Sequence, residues 1–108
     1  MRNGLYHVDF KTQRDFGAGV VHAIDGKLWG GDAGLYYVGN YTVAGDKLSA
    51  SVRTDRHTKI PGLTSVFGID RVNIRLEGTI RGDNVSCKGA AAEAPGISFE
   101  ANLARVSD

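Results

Sequence analysis

The chain has 108 residues, a formal net charge of +1, and hydrophobic residues at 42% of its positions. This length supports one hydrophobic core, so we predict a single domain over residues 1–108. The near-neutral charge argues against direct binding to nucleic acid and against attraction to an anionic membrane. A single cysteine, Cys87, excludes an intramolecular disulfide. The sequence shows neither an apolar leader nor an apolar run of membrane-spanning length, so we expect a cytoplasmic protein.

The first half of the chain is predicted to form strands joined by turns. Leu5–Phe10 and Gly17–Ile24 are the first two strands, and the third begins at Leu28. Asp25-Gly26, between the second and third, favours a type I′ hairpin turn. In the fourth strand, alternation predicts an inward face made of Leu35, Tyr37, Gly39, Tyr41 and Val43. The inward face of the fifth strand is predicted to carry Leu48, Ala50 and Val52.

One irregular connection, over residues 55–70, interrupts this pattern. Pro61-Gly62 breaks any strand, and Thr64–Gly68 favours one short helical turn that stops at glycine. We expect the connection to cover one end of the fold with Ile60, Leu63, Val66 and Phe67.

Alternation resumes after this connection and continues nearly to the last residue. Val72–Ile80 and Val85–Gly89 predict two more strands, with Cys87 inward. Ala90–Gly96 is predicted to be a loop, and Ile97–Leu103 to be the final strand.

About eight short strands with mostly short links predict an all-β fold, an antiparallel up-and-down barrel. An open sheet of these strands would expose one apolar face and two unpaired edges. Closing the sheet buries the apolar face and removes the edges.

The motifs of the chain resemble the GrlR family over nearly its whole length. The stretches that carry the resemblance are Asn3-Gly4-Leu5-Tyr6-x-Val8-x-Phe10, Gly17-x-Gly19-Val20-Val21, Gly30-Gly31-Asp32-x-Gly34-x-Tyr36-Tyr37-x-Gly39-x-Tyr41, Pro61-x-x-x-Ser65-Val66-Phe67-Gly68 and Leu76-x-Gly78. This family comprises small lipocalin-like β-barrels that act as negative regulators of type III secretion. The resemblance implies a homodimer that binds a protein partner, such as a transcriptional activator, and performs no catalysis.

The chain departs from that family in its acidic residues. Enteric members carry an exposed acidic run that is tied to activator binding. This sequence has no such run, and its turns hold only single acids such as Asp25, Asp46 and Asp83.

No arrangement of reactive side chains predicts catalysis, a metal site or a cofactor site. His7, His22 and His57 lack metal-ligand spacing and are interpreted as solvated. Cys87 falls on a predicted buried face, where a thiol packs as a small hydrophobe. The acids Glu77, Glu93 and Glu100 form no predicted acid–base pair, and Ser-His-Asp and Gly-x-Ser-x-Gly arrangements are absent. The loop Gly30–Gly34 resembles a phosphate cradle, but no helix follows it to supply aligned N–H groups.

Two surface features favour a protein contact instead. Tyr36 and Val38 share the predicted outer face of the fourth strand, and we interpret them as part of a dimer or partner surface. Arg56, Lys59 and Phe67, from the irregular connection, are further partner-binding candidates. The basic residues around this connection lack the interleaved aromatics of a nucleic-acid site, which leaves a solvated loop or an acidic protein partner.

The barrel interior offers a second hypothesis, which is the binding of a small apolar ligand. Small residues recur on the predicted inward faces: Gly19, Gly39, Ala50, Gly78, Gly89 and Ala101. They would either leave a ligand cavity or allow the sheet to curve tightly. The sequence leaves both readings open.

Overall fold

The computed structural model describes all 108 residues and forms a closed barrel of eight antiparallel strands, as predicted. Each strand pairs with the next in sequence, and the last pairs with the first. The strands are β1 (Gly4–Lys11), β2 (Phe16–Ile24), β3 (Lys27–Gly31), β4 (Leu35–Ala44), β5 (Lys47–Arg56), β6 (Val72–Arg81), β7 (Asn84–Ala91) and β8 (Ala94–Ser107). No helix in the structure has both the length and the apolar character needed to cross a membrane.

The alternation read from the sequence sorts most side chains correctly between the core and the outer wall. Tyr6, Val8, Leu76 and Phe99 are buried on the inner face of their strands. Val43 was predicted to point inward and is exposed. The reason is that β3 is short. Its first residue, Lys27, pairs with Asn40, so the last residues of β4, including Val43, extend past the end of β3.

Two links between strands test the turn predictions. Asp25 and Gly26 both have positive φ, 49° and 88°, as the predicted type I′ turn requires. The loop predicted over residues 90–96 is wrong, because β7 continues to Ala91 and β8 begins at Ala94. Pro95 is tolerated inside β8 because β1 pairs only with later residues of that strand, from Glu100 onward.

The long connection between β5 and β6 covers one end of the barrel, and we call residues 57–71 the cap. The predicted helical turn is reduced to one bend, closed by the Gly68 N–H donating to the Ser65 carbonyl at 2.9 Å. Val66 and Phe67 enter the barrel mouth and are buried as predicted, whereas Leu63 stays 38% exposed.

Hydrogen bonds from the barrel wall hold the cap in place. The Thr12 hydroxyl donates to the Val66 carbonyl at 2.7 Å, and the Thr54 hydroxyl donates to the Asp70 carbonyl at 2.8 Å. The Arg56 guanidinium donates to both Asp70 carboxylate oxygens at 2.8 Å. This bidentate pair lowers the pKa of Asp70 below its usual value.

Candidate functional site

An apolar cavity lies beneath the cap, and its size bears on the ligand hypothesis. It is bounded by Phe10, Leu35, Tyr37, Phe67 and Phe99 among others, and its volume is about 80 Å³. A cavity of roughly 150 Å³ admits benzene, and sites for small-molecule ligands occupy about 300 Å³ or more. The interior of this structure therefore has no room for a lipid-sized molecule.

Close strand packing accounts for the small inward residues. A Cβ atom placed on Gly39 would lie 2.1 Å from the Ser51 carbonyl oxygen, and one on Gly89 would lie 1.9 Å from the Arg75 carbonyl oxygen. Neighbouring backbones occupy the space that a side chain would take. This geometry supports the curvature reading and gives no additional cavity.

The loop that resembled a phosphate cradle is organised by its own aspartate. One carboxylate oxygen of Asp32 accepts the backbone N–H groups of Gly34 and Leu35 at 2.9 and 2.8 Å. The other accepts the hydroxyl of Tyr37, whose pKa is raised mainly by burial and also by this hydrogen bond. The Asp32 carbonyl oxygen lies 2.9 Å from Nε2 of His57 in the cap. Asp32 of the Gly30-Gly31-Asp32 motif thus has a structural role in joining β3, β4 and the cap.

The positions of the remaining candidate side chains in the barrel bear on metal ligation and on thiol reactivity. No three His, Cys, Asp or Glu side chains come close enough to hold a metal ion. Cys87 is buried, and burial raises the pKa of its thiol to about 11. A thiol with so high a pKa stays protonated at neutral pH and is a poor nucleophile.

The outer wall of β2, β3 and β4 carries a group of exposed apolar side chains, which we call the Trp29 face. Strand register places His22, Trp29 and Val38 in one row across the three strands, while Val20 and Tyr36 belong to the adjacent row. Trp29 is 43% exposed and packs edge-on against the His22 imidazole, with ring centroids 5.6 Å apart. A rigid sheet surface with a central exposed tryptophan is typical of a protein contact site.

The predicted partner-binding residues divide between this face and the cap. Tyr36 and Val38 lie on the Trp29 face, half-buried by their neighbours. Lys59 is exposed on the cap, and Arg56 is engaged by Asp70. Phe67 is only 2% exposed and lies in the barrel mouth, and its contact with a partner stays a prediction.

Sequence reasoning missed the centre of the Trp29 face. The available signal was β2, whose outward positions Phe16, Ala18 and Val20 are apolar although its inward side also packs in the barrel. A strand that is apolar on both faces signals an apolar patch on the outer wall of the barrel.

No protein-family model matches the chain, and a search of curated proteins finds no match.

Proposed function

We propose that this protein is a non-catalytic cytoplasmic regulator of the GrlR type, which represses type III secretion by binding a protein partner such as a transcriptional activator. The observation that supports a binding role is the Trp29 face, where an exposed aromatic side chain is mounted on paired strands. Interfaces concentrate their binding energy in such anchors, and a rigid support lowers the entropy lost on binding. The motifs that resemble those of the GrlR family support type III secretion as the process that the protein regulates.

The interior makes the ligand alternative less favourable. A cavity of about 80 Å³ is well below the roughly 300 Å³ or more that a small-molecule site, such as one for a lipid-like ligand, would occupy. The outer wall, by contrast, presents its apolar atoms without any rearrangement. A surface role therefore requires fewer changes to this structure than a carrier role.

The test is affinity capture from the source cell with wild type and a Trp29→Glu variant. Wild type should retain a transcriptional regulator, and the variant should retain at least about tenfold less, because removal of a hot-spot aromatic costs about 2 kcal/mol or more. Thr42→Glu is the matched control, since Thr42 is an exposed residue of the same outer wall. Overexpression of wild type should also lower secretion from a type III reporter strain, and Trp29→Glu should not.

Equal capture by wild type and Trp29→Glu would overturn the role of this face. Absence of any transcriptional regulator among the captured proteins, together with an unchanged secretion reporter, would overturn the proposed function itself.

We also propose that the protein forms a homodimer through the outward row of β2 and the adjoining Tyr36. Phe16 is 81% exposed at the end of this row, and apolar contact with a second copy would remove it from water. Light scattering should give about twice the 11.5 kDa chain mass for wild type and the single chain mass for Tyr36→Asp. Thr42→Asp should remain dimeric. A wild-type monomer, or an unchanged mass for Tyr36→Asp, would contradict the proposal.

A further inference from the structure

A shallow concavity lies beside the Trp29 face, on the outer wall of β3 to β6. Its lining combines the apolar Trp29 and Val38 with polar and cationic side chains, namely Lys27, Asn40, Ser51, Arg53 and Asn73. None of the lining residues is a carboxylate. Strand register places Arg53 directly opposite both Val38 and Asn73, and Lys27 opposite Asn40. We call this surface the cationic concavity.

The cations of this surface have no carboxylate partners within the protein. The five ion pairs of the structure use Arg2, Lys11, Arg56, Arg71 and Arg105. Lys27 and Arg53 form none, and neither does Arg75, which lies opposite Ser51 on the outer wall of β6.

The carboxylates nearest in register are engaged by groups other than Lys27, Arg53 and Arg75, and one of them, Glu93, is bonded to Asn73 of the lining. Asp55 pairs with Arg71 at 2.9 Å. Glu93 accepts the side-chain amide of Asn73 at 2.8 Å, and Glu77 accepts the Ser49 hydroxyl at 3.0 Å. The cationic concavity is therefore an apolar centre bordered by positive charges that remain available to an external anion.

We propose that the cationic concavity binds an acidic, extended segment of the partner protein, one that carries an aromatic or large aliphatic side chain; this inference rests on the function proposed above. The apolar side chain packs on Trp29 and Val38. Carboxylates on either side of it pair with Lys27 and Arg53, and the Asn40 amide supplies a donor and an acceptor for the backbone of the segment.

A second copy of this chain fits the concavity poorly. Packing the same surface on itself about a twofold axis would place these unpaired cations close to their own counterparts, and like charges in contact are unfavourable. Single-stranded nucleic acid also fits less well, because it requires successive aromatic platforms along a basic groove. Trp29 is the only aromatic residue in the lining.

The experiment uses Trp29, the only tryptophan of the chain, as a fluorescent reporter. The probes are synthetic peptides: Asp-Asp-Glu-Phe-Asp-Asp-Glu, the same peptide with alanine in place of phenylalanine, and a version with lysine in place of every acid. An oligothymidine of similar length is the fourth probe. At low ionic strength we expect saturable binding of the acidic phenylalanine peptide, weaker binding of the alanine peptide and none of the lysine peptide.

Charge variants then test the assigned contacts. Lys27→Gln and Arg53→Gln should each weaken binding of the acidic phenylalanine peptide by about two- to fivefold, the range for exposed ion pairs. Raising the salt concentration should weaken it as well. Lys88→Gln is the control, because Lys88 is an exposed lysine on β7 that also lacks an ion pair. This variant should bind as wild type does.

Three results would overturn the inference. They are absence of saturable binding of the acidic phenylalanine peptide up to millimolar concentration, equal affinity of wild type and both charge variants, or tighter binding of the lysine peptide or the oligothymidine. If cellular capture still depends on Trp29, only the chemistry assigned to the partner fails. If cellular capture does not depend on Trp29 either, both this inference and the proposed function fail.

Discussion

Replacing Phe67 with alanine should lower the free energy of unfolding by about 3–5 kcal/mol, the usual range for truncating a buried phenylalanine. Phe67 stacks on Phe99 with ring centroids 5.2 Å apart, and Phe99 stacks on Phe10 at 6.1 Å. Phe10 in turn meets the edge of Tyr37 at 6.0 Å. The substitution would remove the one ring that the cap contributes to this aromatic row. The apolar side chains at the barrel mouth would then lose their contact with the cap.

Urea denaturation monitored by circular dichroism measures this effect. Leu63→Ala is the control from the same connection, and we expect it to cost less than about 1 kcal/mol because Leu63 remains 38% exposed. Phe67→Ala should also enlarge the cavity of about 80 Å³ toward the roughly 150 Å³ that admits benzene, so the variant should bind benzene more tightly than wild type does. A stability loss below about 1 kcal/mol would show that the cap does not seal the core.

Asp32→Ala should cost on the order of 3 kcal/mol, because three donors lose their acceptor at once. These donors are the N–H groups of Gly34 and Leu35 and the hydroxyl of Tyr37. Thermal and urea unfolding measure the loss. Asp46→Ala, at an exposed turn, should change stability by less than about 0.5 kcal/mol. Equal stability of these two variants would contradict the structural role of Asp32.

Alkaline pH provides a second test of the same contact. Burial, and then the Asp32 hydrogen bond, hold the pKa of Tyr37 above its ordinary value of 10.0. A phenol with a raised folded-state pKa contributes stability that is present below pH 10 and is lost as the pH rises further. Tyr37→Phe should therefore lose less stability between pH 9 and 11 than wild type. The remaining slope is expected from Tyr6 and Cys87, whose pKa values are also raised by burial. Parallel pH profiles for wild type and Tyr37→Phe would refute this assignment.

The barrel was predictable from the sequence because inward and outward alternation is a local property of each strand. Leu35, Tyr37 and Tyr41 are buried as their period of two predicts. The exposure of Val43 depended on how far the neighbouring strand reaches, and no pattern within β4 contains that information.

The candidate site was less predictable because it depends on register among several strands. Tyr36 and Val38 were recognised as outward residues, but their proximity to Trp29 and His22 results from pairings across β2, β3 and β4. The burial of Phe67 depended on how an irregular segment folds back over the barrel mouth. The engagement of Arg56 by Asp70 joins two residues 14 positions apart across the cap. Periodicity does not report any of these relations.

The pairing of β8 with β1 has a consequence for biosynthesis. Leu5 lies opposite Ser107, so closure joins the first and the last strand of the barrel. While the ribosome is still translating β8, the nascent chain holds β1 with one of its edges unpaired, and such edges attract other strands. The final hydrogen bonds of the barrel can form only after translation of β8, so closure of this fold comes after the synthesis of all its strands.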